Sequence, residues 1–269
     1  MEILAYIFAA VIGISLGLIG AGGSILTVPV LVYLAHVEPV LATAYSLFVV
    51  GSTALVGGIQ NSFKKLVDFK TAFLFAIPSI LAVYATRAFI MPWIPSNIAF
   101  GEWFSVSKGV GVLVVFAILM VATSVSMIRS NGKDKELEEI PAEPKKHHFG
   151  LVLLEGVGVG MLTGLVGAGG GFLIIPALVL LAGLDMKLAV GTSLFIIAMK
   201  SLIGFTGDIQ AGMPIEWSFL LLFTSFSVAG IFIGSWLHRF IHGDRLKQGF
   251  GWFVLLMGIY MLVKEIFFA

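Results

Sequence analysis

Lys200 is the residue with the most pointed chemistry in this chain. It lies within the apolar run Leu194–Phe205, with no acidic residue close to it in sequence. A lysine at membrane depth is expensive and marks a functional position by default. It is a candidate counter-charge for an anion. The alternatives are snorkelling to the surface, or a pairing with Asp208 eight residues on. Two glycine-rich stretches share the same apolar surroundings. The first is Gly17-Leu18-Ile19-Gly20-Ala21-Gly22-Gly23, followed by Ser24 and closed by Pro29. The second is Gly164-Leu165-Val166-Gly167-Ala168-Gly169-Gly170-Gly171, closed by Pro176. Glycine inside a helix costs about 1 kcal/mol relative to alanine. Such a concentration of glycine therefore predicts a break in each helix.

A helix that starts inside a membrane leaves its first N–H groups unpaired and carries partial positive charge there. Glycine lets those donors approach a ligand closely, and such an end prefers an anion. Gly20, Ala21, Gly22, Gly23 and Ser24 are thus candidate substrate-binding residues, with Gly167, Ala168, Gly169, Gly170 and Gly171 from the second stretch. The alternative is that small residues simply let helices pack closely. Ser46 and Ser193 occupy matching places in the two halves and offer hydroxyl donors. They equally suit bonds back to their own helix. Asp68, Glu155, Asp208 and Glu216 are candidate proton-coupling or gating acids. Asp68 and Glu216 each precede an aromatic and an apolar run, so they also suit helix starts near the interface. Arg87, late in its run, is expected to snorkel.

Nothing resembles a nucleophile–base pair, paired catalytic acids or a phosphate loop, so no enzyme is expected. The chain has no cysteine, which excludes disulfides and thiol chemistry. Its five histidines, His36, His147, His148, His238 and His242, fall at segment ends or in a central linker. No metal site and no cofactor is expected from them.

The elements that must position these residues are apolar runs. The 269-residue chain is 59% hydrophobic and 12% charged, against roughly 25% charged in soluble domains. It is read as an all-α polytopic membrane protein. The net charge of +1 says nothing about nucleic acid, but there is no basic patch of the sort that would bind it, so no nucleic-acid partner is expected. The runs are Ile3–Leu16, Ile25–Ala35, Val40–Ile59, Thr71–Ile90 and Gly109–Ile128. The second is too short to span comfortably. Met91–Ser107, with Pro92, Trp93 and Trp103, has an interfacial composition. No cleavable signal peptide is expected.

The second half replays the first. A shift of 147 positions aligns Gly17–Pro29 with Gly164–Pro176, with 8 of 13 residues identical. The same shift pairs Ser46-Leu47-Phe48 with Ser193-Leu194-Phe195, and a shift of 148 pairs Val67-Asp68-Phe69 with Ile215-Glu216-Trp217. The expected division is a first membrane repeat at 1–128, a charged linker at 129–148 and a second repeat at 149–269. Loop charges suggest opposite orientations for the two halves. Lys64, Lys65 and Lys70 follow run three, whereas Gly207–Ser218 has no basic residue. Residues 88–107 have none, whereas the matching region holds Arg239, Arg245 and Lys247. By the positive-inside rule the linker is cytoplasmic, both termini lie outside, and the repeats are inverted. The first two segments of each half either both span or form a re-entrant hairpin. Inverted repeats with broken helices point to a transporter site near the membrane midplane.

These residues resemble those of the sulfite exporter TauE/SafE family. The likeness rests on the paired Gly-Leu-Ile/Val-Gly-Ala-Gly-Gly stretches with their prolines, the Ser-Leu-Phe runs, and the Val-Asp-Phe and Ile-Glu-Trp starts, and covers essentially the whole chain. One departure is Glu216, where the family's usual residue is aspartate. The resemblance implies multi-pass transport of a small sulfur-containing or organic anion across a bacterial inner membrane. The expected function is export of sulfite or a short organosulfonate, with the lipid bilayer as the other partner. A transporter of another small solute and a non-transporting scaffold subunit are the alternatives.

Overall fold

The computed structural model describes residues 2–100, 104–129, 149–180, 182–237 and 243–267. Most of the charged linker, together with Trp103, His147, His148, His238, Arg239 and His242, lies outside these residues. The apolar runs form helices with nearly the expected limits. In the first half these are α1 (Glu2–Ile19), α2 (Thr27–Tyr33), α3 (Pro39–Phe63), α4 (Phe69–Ala85) and α5 (Lys108–Arg129). In the second they are α6 (Phe149–Val166), α7 (Gly171–Leu180), α8 (Met186–Gln210), α9 (Trp217–Leu237) and α10 (Gly243–Phe267). Six of the described helices, α3, α4, α5, α8, α9 and α10, are long and apolar enough to cross a membrane. The protein is therefore a polytopic helical membrane protein.

The interfacial stretch adds one element that apolar periodicity did not reveal. β1 (Asn97–Phe100) and β2 (Phe104–Ser107) pair antiparallel, from Asn97 opposite Ser107 to Phe100 opposite Phe104. Before it, α4 continues through a π turn (Thr86–Ile90) to a last turn, Met91–Trp93. Pro92 explains the widened turn. It lacks an N–H and its ring crowds the carbonyl four residues back, so the ladder shifts register. Trp93, 90% exposed, ends the helix, as suits the headgroup level.

Helices from the two halves interlock. α1 packs on α9, and their counterparts α6 and α4 pack on each other. α3 packs on its own counterpart α8, and α5 on α10. The close approaches are made by glycine. Gly13 and Gly17 abut Ser227 and Ile231–Ser235, while Gly160 and Gly164 abut Ser79 and Thr86. In both pairs the residue numbers rise together, so the paired helices run parallel. α3 and α8 run antiparallel, because Gly51 meets Leu202 while Gly58 meets Phe195. The small-residue packing alternative thus holds for Gly17 and Gly164, the first glycines of each stretch. Gly230 shows the tolerance. A side chain there would run into the Ala10 carbonyl. The Gly230→Leu substitution is expected to destabilise the fold by about 3 kcal/mol through overpacking, measured as a fall in thermal unfolding temperature in detergent.

Helix starts also bridge the halves. The Asp68 N–H donates to Thr192 Oγ1 (2.9 Å), and the Glu216 N–H donates to Tyr45 Oη (2.7 Å). Tyr45 and Thr192 are themselves partners under the 147-residue shift. Lys264, near the end of α10, has an aromatic partner. Its ammonium lies 4.2 Å from the centre of the Tyr33 ring, whose hydroxyl donates to Glu265 (2.8 Å). A cation–π contact accounts for it without any charge bias.

Candidate functional site

Each glycine stretch reverses the chain. Gly20 has φ +73°, and the chain then winds as a 3-10 helix over Gly20–Leu26 before α2. The first stretch is therefore a sharp turn into a tight helix rather than an open loop. Gly23 comes back against α1, where an added methyl would lie 2.5 Å from Leu16 N. In the second stretch Gly167, Gly169 and Gly170 all have positive φ, and α7 begins at Gly171. Gly170 comes back against α6 at Val159 and Thr163. A straight helix would carry residues seven apart about 10 Å from each other. The fold-back at both stretches is thus a true reversal, and with seven and ten residues neither α2 nor α7 spans a bilayer alone. Pro29 is buried in the first turn of α2, where a missing N–H costs little.

The two stretches meet. A methyl added at Gly169 would touch Val50 (2.7 Å), Ile197 (3.5 Å) and Ser24 (3.5 Å). Val50 and Ile197 are shift partners, and each sits near the middle of its 25-residue helix. The meeting point is therefore at half depth in the bundle. Further out the contacts are reciprocal: Gly20 lies against Val190 on α8, and Gly167 against Thr43 on α3. Ser46 lies on the α3 face between Thr43 and Val50, and its hydroxyl is buried without a partner. Ser193, at the equivalent place on α8, instead donates to Val190 O (2.8 Å). The halves are equivalent in backbone but not in available donors.

Lys200 is fully buried, and its ammonium donates to Thr163 Oγ1 (2.8 Å). A methyl at Gly170 would lie 2.8 Å from Lys200 Nζ. The second glycine stretch therefore carries this cation directly beside it. Lys200 neither snorkels nor pairs with Asp208. Among the described residues the salt bridge is Arg87 Nη1 to Asp208 Oδ1, at 3.3 Å. Arg87 is the residue that the sequence undervalued. It does not snorkel but is fully buried, and it also donates to Thr43 Oγ1 (3.0 Å). Asp208→Asn leaves that guanidinium without its counter-charge. We expect it to destabilise the protein by about 3–5 kcal/mol, seen as a lowered unfolding temperature.

The remaining acids separate. Asp68 caps α4, accepting from Lys70 N (3.1 Å) and Thr71 Oγ1 (2.6 Å). Glu216 is exposed ahead of α9. Glu155 is half-buried early in α6 with one oxygen buried and unpartnered. It shares the α6 face of Val159 and Thr163, which leads towards Lys200. Of the four acids, only Asp208 sits in direct contact with another buried charge.

The sulfite exporter TauE/SafE family profile matches residues 5–261. A probable membrane transporter protein, YunE, of Bacillus subtilis is 26% identical, over 98% of this chain and the whole of the relative. A probable membrane transporter protein of Xylella fastidiosa is 27% identical, covering 94% of this chain and 92% of the relative. MJ0441 of Methanocaldococcus jannaschii, also a probable membrane transporter protein, is 28% identical over 77% of this chain and 72% of its own. No solved structure matches the chain. Paired glycine reversals in a polytopic bundle and a match across nearly its full length lead to one assignment: the chain belongs to the sulfite exporter TauE/SafE family of membrane transporters.

Proposed function

We propose that the protein exports a small oxyanion, sulfite or a short organosulfonate, and binds it where the two glycine stretches meet. The observation that carries this reading is the buried Lys200 ammonium beside Gly170, with no carboxylate paired to it among the described residues. A buried cation whose one partner is a hydroxyl is electrostatically incomplete, and an anion completes it. Gly170 adjoins Lys200, and Gly169 beside it lies against Ser24; on this reading these residues, with Gly171 and Ser46, supply backbone and hydroxyl donors.

The orientation belongs to the same proposal. We take the halves as inverted repeats, on the antiparallel contact of α3 with α8 and the loop charges, with the linker cytoplasmic in a bacterial inner membrane. The two reversals then enter from opposite sides, and the shared midpoint is reachable from both. An inside-negative potential favours anion exit by about 2.3 kcal/mol per charge per 100 mV. Export then needs no coupled ion.

The test is efflux from liposomes holding the purified protein. Sulfite-loaded vesicles are expected to empty faster with the protein than without it. An inside-negative potassium diffusion potential is expected to increase the rate. Methanesulfonate competes and choline does not. Competition by choline or an amino acid instead of sulfonates would assign another solute. No flux of any solute, with a second protein co-purifying, would assign a scaffold.

A further inference from the structure

Arg87 has a geometry that a simple structural ion pair does not need. One guanidinium nitrogen, Nη1, makes both polar contacts, to Asp208 Oδ1 and Thr43 Oγ1. Nε and Nη2 are buried and have no partner, and neither does Asp208 Oδ2. The Nε–Nη2 edge is a parallel pair of N–H donors of the kind that grips two oxygens of a carboxylate, phosphate or sulfonate. A fully buried arginine with that edge unfilled is a site lacking its ligand contacts rather than a satisfied bridge.

Its position suits an anion path. Arg87 lies in the π turn, so the helix is widened around it, and such turns recur at functional sites. Asp208 is eight residues beyond Lys200 on α8, about 12 Å along the axis. Thr43 touches both Arg87 and the backbone of Gly167, so the second glycine stretch runs between the two cations. Lys108 donates to Met91 O, one turn past Arg87, and adds positive charge at the same end. The opposite end is different. The shift partners of Lys200, Asp208 and Arg87 are Thr53, Asn61 and Ser235, all neutral. At these symmetry-related positions, charge is therefore carried on one side only.

We infer that the Nε–Nη2 edge of Arg87 is a second anion station, taking a small oxyanion with two adjacent oxygens at the end of α4, between Lys200 and the membrane surface. Asp208 holds Arg87 in place when no anion is there. This inference rests on the anion-transport reading above, since it names the next stop of the same substrate. The charged side chain of Asp208 opposes the incoming anion, so removing its charge favours binding.

The test uses purified full-length protein in lipid nanodiscs, with sulfite as the probe under anaerobic conditions and binding followed by calorimetry. Wild type is expected to bind two equivalents per chain. Arg87→Lys keeps the positive charge and loses the fork, and is expected to bind one. Asp208→Asn is expected to bind sulfite at least about tenfold more tightly than wild type at one site. Sulfite should also raise its unfolding temperature more than that of wild type, because the anion replaces the missing counter-charge. An R87K protein that keeps both equivalents overturns the inference, as does a D208N protein whose affinity is unchanged or weaker. A merely structural ion pair gives that second result. Failure of the midplane reading looks different: Lys200→Met then keeps both equivalents while R87K still loses one. Wild type that binds no sulfite overturns both.

Discussion

Replacing Lys200 by methionine is expected to lower the initial rate of sulfite efflux about a hundredfold, while the protein folds and extracts like wild type. The rate falls because a charge-assisted contact to an anion is worth about 1.5–3 kcal/mol, and a buried one sits at the upper end. The rest of the site then offers only neutral donors. Folding is spared for a separate reason. Lys200 is fully buried, and among the described residues its hydrogen bond is to Thr163. Burying an uncompensated ammonium is a cost that methionine, of similar length, removes. Thermal stability of the variant is expected to equal or exceed that of wild type. Flux and stability thus move apart, which a packing role for Lys200 does not allow. Initial rates from loaded liposomes at matched protein density check the first half, and unfolding temperatures check the second. Unchanged flux removes Lys200 from the site.

The second large effect is at Gly167. Its φ of +74° is a conformation that a side chain disfavours by roughly 1–2 kcal/mol. A methyl there would also lie 2.6 Å from Thr43 Cα, in the backbone of α3. Helix backbone cannot yield as a long side chain can. Gly167→Ala is therefore expected to cost about 3 kcal/mol of stability, and to displace Thr43, which holds Arg87. Gly158 provides the control. It lies on α6 in the same half, and a methyl there meets nothing within 4 Å. Gly158→Ala is expected to be neutral, or stabilising by up to about 1 kcal/mol. Thermal unfolding of both variants measures the difference. Equal stabilities would mean that Gly167 is not held against α3.

Much of this was legible in the sequence because it is local or periodic. Long apolar runs gave helix limits close to those of α3, α4 and α5. The shift of 147 residues that aligns the glycine stretches also relates Val50 to Ile197 and Thr43 to Val190, which make equivalent contacts. Composition did not separate the jobs within one glycine stretch. Gly17 is a packing glycine and Gly20 a reversal, and only the neighbouring helix and the sign of φ tell them apart. Arg87 was undervalued because its partner is 121 residues away in the chain. An arginine near the end of an apolar run ordinarily reaches the surface by snorkelling. Its burial follows from the parallel pairing of α4 with α8, which brings the ends of two distant runs together. The β1–β2 hairpin was hidden for a similar reason, since a two-stranded ribbon of four-residue strands carries little periodicity.

The most direct measurement is a structure of the protein with selenite, the heavier analogue of sulfite, located by its anomalous scattering. One expected peak lies between Gly169, Gly170 and Ser24, within hydrogen-bonding distance of Lys200 Nζ. A sole peak on the outer surface of the bundle, or beside the Asp68 or Glu216 helix starts, would show that the meeting of the two glycine stretches is not an anion-binding site.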